Sequence, residues 1–188
     1  MADWLLMRLP AEDDAPASWV VADAQGQLLS LPSQDVSGGL HTMATGRRVA
    51  LLVPAGEVSF FQATLPAGNE ARLLQLAPFA LEDQLSQDVD ALHFAVGARD
   101  PASGTVPVAV MERARLEHYL ARAAQLQIIP HAVFAESDLA PLLPGHVTML
   151  VSADQLLLRD DAARPLVLPA ADPLLALEML PGTGSNLA

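Results

Sequence analysis

Cysteine is absent from the 188 residues. That excludes disulfides, thiolate metal sites and thiol nucleophiles, and it fits a reducing compartment. Lysine is absent too: the 10 basic residues are all arginines, set against 22 Asp and Glu, for a formal net charge of −12. A surface of that sign repels phosphate backbones and anionic headgroups, which require clustered cations. The only adjacent basic pair, Arg47-Arg48, leads into an apolar run. No nucleic acid is therefore expected as a partner, and a basic or mixed-charge protein is. No window approaches the ~18 uninterrupted apolar residues of a membrane span. The stretch Leu174 to Leu180 is short, interrupted by Glu178 and stopped by Pro181. Met1-Ala2-Asp3-Trp4 lacks the basic and apolar regions of a signal peptide. Aromatics make up only 4% of the chain, yet 52% is apolar, chiefly Ala, Leu and Val. That supplies a sizeable core for one domain or two small ones.

The first third reads as β. Trp4 to Leu9, Ser18 to Asp23 and Gln27 to Leu31 are three strand candidates, the last two joined by the turn Ala24-Gln25-Gly26 as a hairpin. His41 to Thr45 suggests a short helical turn. Arg48 to Pro54 is a continuous apolar run, the pattern of a strand buried on both faces. Val58 to Leu65 alternates and is expected to be its antiparallel neighbour across the turn Ala55-Gly56-Glu57.

Asn69 is placed to cap a helix, with Glu70 in its first turn. Leu73, Leu74, Ala77, Leu81 and Leu85 follow at helical spacing, and Pro78 predicts a kink or two abutting helices. Asp88-Val89-Asp90-Ala91 is an exit loop. His93 to Ala98 and Val106 to Met111 read as strands joined by the turn Arg99 to Gly104. Glu112 to Gln127 is the clearest helix, with Leu116, Tyr119, Leu120, Ala123 and Leu126 on one stripe and Arg113, Glu117 and Arg122 assigned to the other face. A strand over Ile128 to Val133 follows. Beyond the loop Pro141 to Gly145, His146 to Val151 and Gln155 to Arg159 form a hairpin across Ser152-Ala153-Asp154. Pro165 to Leu168 adds a last strand, and a helix over Leu174 to Leu180 starts at Asp172-Pro173. This order is mixed α+β, not regular βαβ winding. It divides into a β-rich subdomain over 1–100 holding the helix 69–85, an α/β subdomain over 101–180, and a disordered tail over 181–188.

No catalytic motif stands out. There is no P-loop and no Gly-x-Gly-x-x-Gly fingerprint. No Gly-x-Ser-x-Gly elbow occurs. The histidines His41, His93, His118, His131 and His146 are scattered, without a His-x-x-x-His pair for zinc. Glu12-Asp13-Asp14 lacks the alternating oxygen spacing of a calcium loop and reads as a solvated loop. Asp23-Ala24-Gln25-Gly26 reads as a hairpin turn. Glu82, Asp83, Asp88 and Asp90 read as a polar helix end and loop, not as an acid/base pair.

The stretch Arg72 to Gly97, RLLQLAPFALEDQLSQDVDALHFAVG, carries a distinctive order: helix, Pro78-Phe79-Ala80-Leu81-Glu82-Asp83-Gln84-Leu85, acidic loop, then Leu92-His93-Phe94-Ala95. It resembles the cytoplasmic domain of type II secretion system protein L. The likeness extends from Trp4 to Pro169, through the opening strand with Arg8, the pair Val49 to Pro54 and Glu57 to Pro66, and the strand Pro107 to Met111 leading into the helix at Glu112. The resemblance implies an actin-like (ribonuclease H-like) α/β fold and an inner-membrane scaffold that binds the N-terminal domain of the cognate secretion ATPase. It implies no enzyme activity and no cofactor or metal. Glu82, Asp83, Asp88 and Asp90 are the candidate partner-binding residues. The family continues into a single transmembrane helix, a small periplasmic domain and contacts with other inner-membrane secretion components, so this chain is expected to end before the membrane. A homodimer is a further possibility the resemblance leaves open. The alternatives are a divergent actin-like or sugar-kinase-like ATPase, which nucleotide titration would reveal, and a pilus-assembly scaffold of actin-like type. Nucleotide-binding members need a Gly-bearing turn after the first strand, where backbone N–H groups cradle phosphate. Here that place holds Leu9-Pro10-Ala11-Glu12-Asp13-Asp14, with no glycine.

Overall fold

Two apolar strands frame the first part of the molecule. In the computed structural model, which describes residues 3–35, 39–143, 145–152, 155–159 and 165–170, β1 (Trp4–Arg8) lies parallel to β4 (Arg48–Val53), with Leu5 opposite Val49 and Met7 opposite Leu51. Leu5, Met7, Val49, Leu51 and Val53 are buried in one cluster. Every residue of β4 after Arg48 is buried, as the continuous apolar run predicts. β2 (Ala17–Ala22) pairs antiparallel with β1, and β3 (Ser33–Asp35) antiparallel with β2. β8 (Ala132–Ala135) adds parallel to β4. The order β3-β2-β1-β4-β8, an antiparallel meander followed by two parallel additions, is that of the actin-like sheet. Arg8 Nε, at the end of β1, donates to Glu136 Oε1 just past β8.

The third strand differs from the expected Gln27 to Leu31. The turn forms as expected: Asp23 Oδ1 accepts from the N–H groups of Gln25 (2.9 Å) and Gln27 (2.8 Å), and Gly26 sits at φ +82. Pairing then lapses, because Ser30 Oγ takes the N–H of Val21 at 3.0 Å in place of a strand carbonyl. Leu28 keeps a single bridge to Ala22, and the strand resumes only after Pro32.

A short helix, α1 (Gly39–Ala44), precedes β4. The strand after it, β5 (Ser59–Thr64), is not the neighbour of β4. Both edges of β4 are taken by β1 and β8, so β5 joins a second sheet, β5-β7-β6, made with β6 (Leu92–Val96) and β7 (Thr105–Glu112). Ser59 faces Val110 and Thr64 faces Thr105. The turn Arg99 to Gly104 lies inside this sheet, with Gly104 at φ +76. α2 (Glu70–Leu81) covers the sheet, placing Leu73, Ala77 and Leu81 against Phe94, Val106 and Val108. The chain alternation of β7 serves two cores: Val110 belongs to this cluster and Met111 to the one under the five-stranded sheet.

α3 (Arg113–Gln125) follows β7 directly and buries Tyr119 and Ala123. Leu120, expected on the buried stripe, is 38% exposed. The helix ends at Gln125, and Gln127, just past the cap residue Leu126, adopts the left-handed φ of 59. Ile128 is buried in the core before any strand begins. His131 N donates to Val49 O at 2.8 Å, so β8 starts four residues later than Ile128, the expected first residue.

The chain divides into units 1–136 and 137–188. In the second, β9 (Thr148–Val151), β10 (Gln155–Arg159) and β11 (Leu166–Pro169) form an antiparallel sheet in the order β11-β10-β9. Leu156 and Leu158 make its small core. The expected helix Leu174 to Leu180 and the tail 181–188 lie outside the described residues.

Candidate docking surface

The sequence between Arg72 and Arg99 contains no Lys or Arg, while Glu82, Asp83, Asp88 and Asp90 all fall within it. The structure gathers these four on one connection, from the end of α2 to the start of β6. Asn69 Oδ1 accepts from Arg72 N at 2.9 Å and fixes where α2 begins. Pro78 neither ends the helix nor splits it in two: one helix runs to Leu81 and tightens into a 3₁₀ turn over Glu82–Gln84. The unbroken buried line Leu73, Ala77, Leu81 holds it across the missing donor. Leu74, expected on that line, is 41% exposed. Asp88 Oδ1 accepts from Asp90 N at 2.9 Å and starts a second 3₁₀ turn, Val89–Ala91. Arg113 then pins the exit from α3, donating to Leu92 O at 2.9 Å. All four carboxylate residues are exposed. None of the salt bridges among the described residues reaches them.

A cleft of about 400 Å³ adjoins this connection, walled by Gln84 to Gln87 and floored by Phe61, Leu92 and Val110. Its two acids are already engaged. Arg115 binds Glu57 with two bonds, Nε to Oε2 at 2.9 Å and Nη2 to Oε1 at 2.5 Å. That hydrogen bonding raises the Arg115 pKa further above its ordinary value. Gln87 Nε2 donates to Glu112 Oε1 at 2.5 Å. Burial, and next the charge of Glu57, raise the pKa of Tyr119 beside them.

The acidic β1–β2 loop is built differently. Arg122, assigned from sequence to the polar face of α3, is 9% exposed. Its Nη1 donates to Pro10 O at 2.6 Å and its Nη2 to Glu12 O at 3.0 Å and Asp13 O at 3.4 Å. His118 Nε2 lies 2.7 Å from Asp13 Oδ1, and this bond is the main cause that lowers the Asp13 carboxyl below its ordinary pKa. Sequence spacing held a signal for Arg122: it lies three residues past Tyr119 and four before Leu126, on the flank of the apolar stripe. The loop after β1 thus presents its carbonyls to the chain's own guanidinium.

His41 Nδ1 lies 3.0 Å from Gln127 O, and His131 Nδ1 accepts from Val49 N at 3.0 Å. Among the described residues, no group of three His, Asp or Glu side chains could hold a metal. No described helix is long and apolar enough to cross a membrane.

A family profile described as type II secretion system (T2SS), protein L, matches residues 5–180. The chain belongs to that family. Protein L of Pectobacterium carotovorum subsp. carotovorum is 33% identical over 148 residues, which is 76% of this chain and 33% of that protein. Protein L of Dickeya chrysanthemi is 31% identical over 119 residues, 62% of this chain and 29% of that protein. The chain thus spans about a third of the length of the curated protein L relatives it matches. Among solved structures, the cytoplasmic domain of EpsL, an inner membrane component of the type II secretion system of Vibrio cholerae, superposes with a TM-score of 0.75 at 23% identity, covering 94% of this chain and 75% of that one. A PilM–PilN type IV pilus biogenesis complex gives 0.58 at 15% identity, covering 87% and 60%. These two show that the protein L chain shares their fold.

Proposed function

We propose that this protein L chain is the cytoplasmic part of an inner-membrane scaffold and that it docks the N-terminal domain of the cognate secretion ATPase. The observation that supports this best is the α2–β6 connection, whose four carboxylate residues are exposed and in no salt bridge among the described residues. Membership in the family supplies the setting, and the fold shared with the EpsL cytoplasmic domain is consistent with a place at the inner face of that membrane. The work is linkage: a bound partner is held where the machine needs it, with no bond made or broken by this chain.

An acidic surface of net charge −12 attracts a basic partner at a distance, and screening over a Debye length of about 8 Å in physiological salt weakens that attraction. The expected result is a complex with the isolated ATPase domain whose association rate falls with salt. Replacing Glu82, Asp83, Asp88 and Asp90 by Lys slows association further while the chain stays folded. Surface plasmon resonance at low and high salt checks both. Absence of a complex overturns the docking role, and an association rate indifferent to salt and to the four reversals overturns its electrostatic part.

A further inference from the structure

The last turn of α2 and the 3₁₀ turn that follows it break three local rules. Phe79 is 76% exposed. With Leu73, Ala77 and Leu81 as the buried line, a helix of 3.6 residues per turn aims residue 79 about 160° away from the core. Pro78, its neighbour, has no N–H, so the Leu74 carbonyl has no helical donor. The helix then ends in Glu82 and Asp83 with no basic residue in its last turn, although its C-terminus carries the negative end of the helix dipole. Glu82 keeps helical φ and ψ of −48 and −46, so the two acids follow Phe79 at i+3 and i+4, on the same outer face. Single exposed apolar residues are ordinary. Three departures between Pro78 and Asp83, with Phe79 and both acids exposed, are what a functional surface leaves behind when stability is not its purpose.

One group answers two of the three. A cation over the Phe79 ring gains the attraction of its π face, pairs with Glu82 and Asp83, and offsets the helix dipole. Among the described residues, no arginine supplies it. The cation–π pairs among the described residues use Trp4, with Arg48, and Tyr119, with Arg115 and Arg122.

We infer that the outer face of the last turn of α2, centred on Phe79, is the anchor of the docking surface and receives an arginine side chain of the partner, its guanidinium stacked on the ring and paired with Glu82 and Asp83. Arginine fits better than lysine, because a planar guanidinium stacks on an aromatic face and bonds carboxylates with two donors. This rests on the proposed docking of the ATPase domain and adds the residue that holds it. Aromatic and arginine side chains dominate the energetics of protein interfaces, and their removal acts on the dissociation rate.

The test is surface plasmon resonance with the immobilised N-terminal domain of the cognate ATPase, at one fixed salt concentration. Phe79→Ala is expected to speed dissociation about tenfold or more, with the association rate nearly unchanged. Phe79→Tyr, which keeps the ring face, stays within about twofold of wild type. The melting temperature of both variants matches wild type, because the side chain touches no core. In double-mutant cycles, one arginine of the partner couples to Phe79. A complex that Phe79→Ala leaves unchanged overturns this inference and spares the docking proposal. Equal losses for Tyr and Ala overturn the stacking. Absence of any complex with wild-type chain overturns the docking proposal and this inference with it.

Discussion

The chain has two acidic segments with opposite fates. Glu12-Asp13-Asp14 in the β1–β2 loop is bound from within: Arg122 reaches the carbonyls of Pro10, Glu12 and Asp13, and His118 reaches the Asp13 carboxylate. Glu82 to Asp90 in the α2–β6 connection has carboxylates that take part in no salt bridge among the described residues. The two look alike as letters. One is a structural joint in which Arg122 holds the loop carbonyls and His118 the Asp13 carboxylate; the other is a surface whose four carboxylates have no salt bridge among the described residues. Substitutions in the first should therefore cost stability, while substitutions in the second should gain it.

Arg122→Ala tests the joint most severely. It strands carbonyls that a buried guanidinium now satisfies, and the expected loss is about 3 kcal/mol, read from urea unfolding. A loss under about 1 kcal/mol would place the loop among ordinary solvated turns and erase the contrast. In the second segment, Pro78→Ala restores the donor for the Leu74 carbonyl and is expected to raise stability by about 1–2 kcal/mol, below the full ~3 kcal/mol of propensity because the site lies near the helix end. A fall of similar size in the same unfolding experiment would mean that the helix path set by proline is needed for packing against the β5-β7-β6 sheet. Glu82→Lys with Asp83→Lys is expected to add about 0.5 kcal/mol, since cations suit a helix C-terminus. Destabilisation by this pair would reveal a partner for these acids within the chain.

The smallest effect is a titration. Asp13 has a folded pKa below its ordinary 3.8, first through the His118 bond. A depressed carboxyl stabilises the fold above its unfolded value, and that contribution is lost as the pH falls through the folded value. Carboxyl chemical shifts followed by NMR should show Asp13 titrating below 3.8 and returning toward it in His118→Ala. An unmoved titration would remove His118 from the joint.

Much of the local structure was legible along the chain. Asn69, followed by Leu73, Ala77 and Leu81 at helical spacing, marked α2, and the apolar run Arg48 to Val53 marked a strand buried on both faces, because caps and hydrophobic periodicity act over a few residues. The four candidate site residues were legible as acids of a polar helix end, Glu82 and Asp83, and of its exit loop, Asp88 and Asp90. That no salt bridge among the described residues reaches them was not, because that depends on where the distant arginines point.

Sequence by itself determined the element types, the acidic and cysteine-free surface chemistry, and the phrase from Pro78 to Leu85 that carries the family resemblance. Only the tertiary structure decided which strand pairs with which. β5 follows β4 across a short turn, yet it pairs with β7 because β1 and β8 occupy both edges of β4. Ser30 captures the N–H of Val21 and defers the third strand past Pro32. Arg122 turns inward to carbonyls more than a hundred residues away in the chain. Periodicity reports the side of an element that seeks burial; it carries no record of which edge is free, or of which distant polar group will face a buried charge. Those are properties of packing, settled when segments far apart in sequence compete for the same hydrogen bonds.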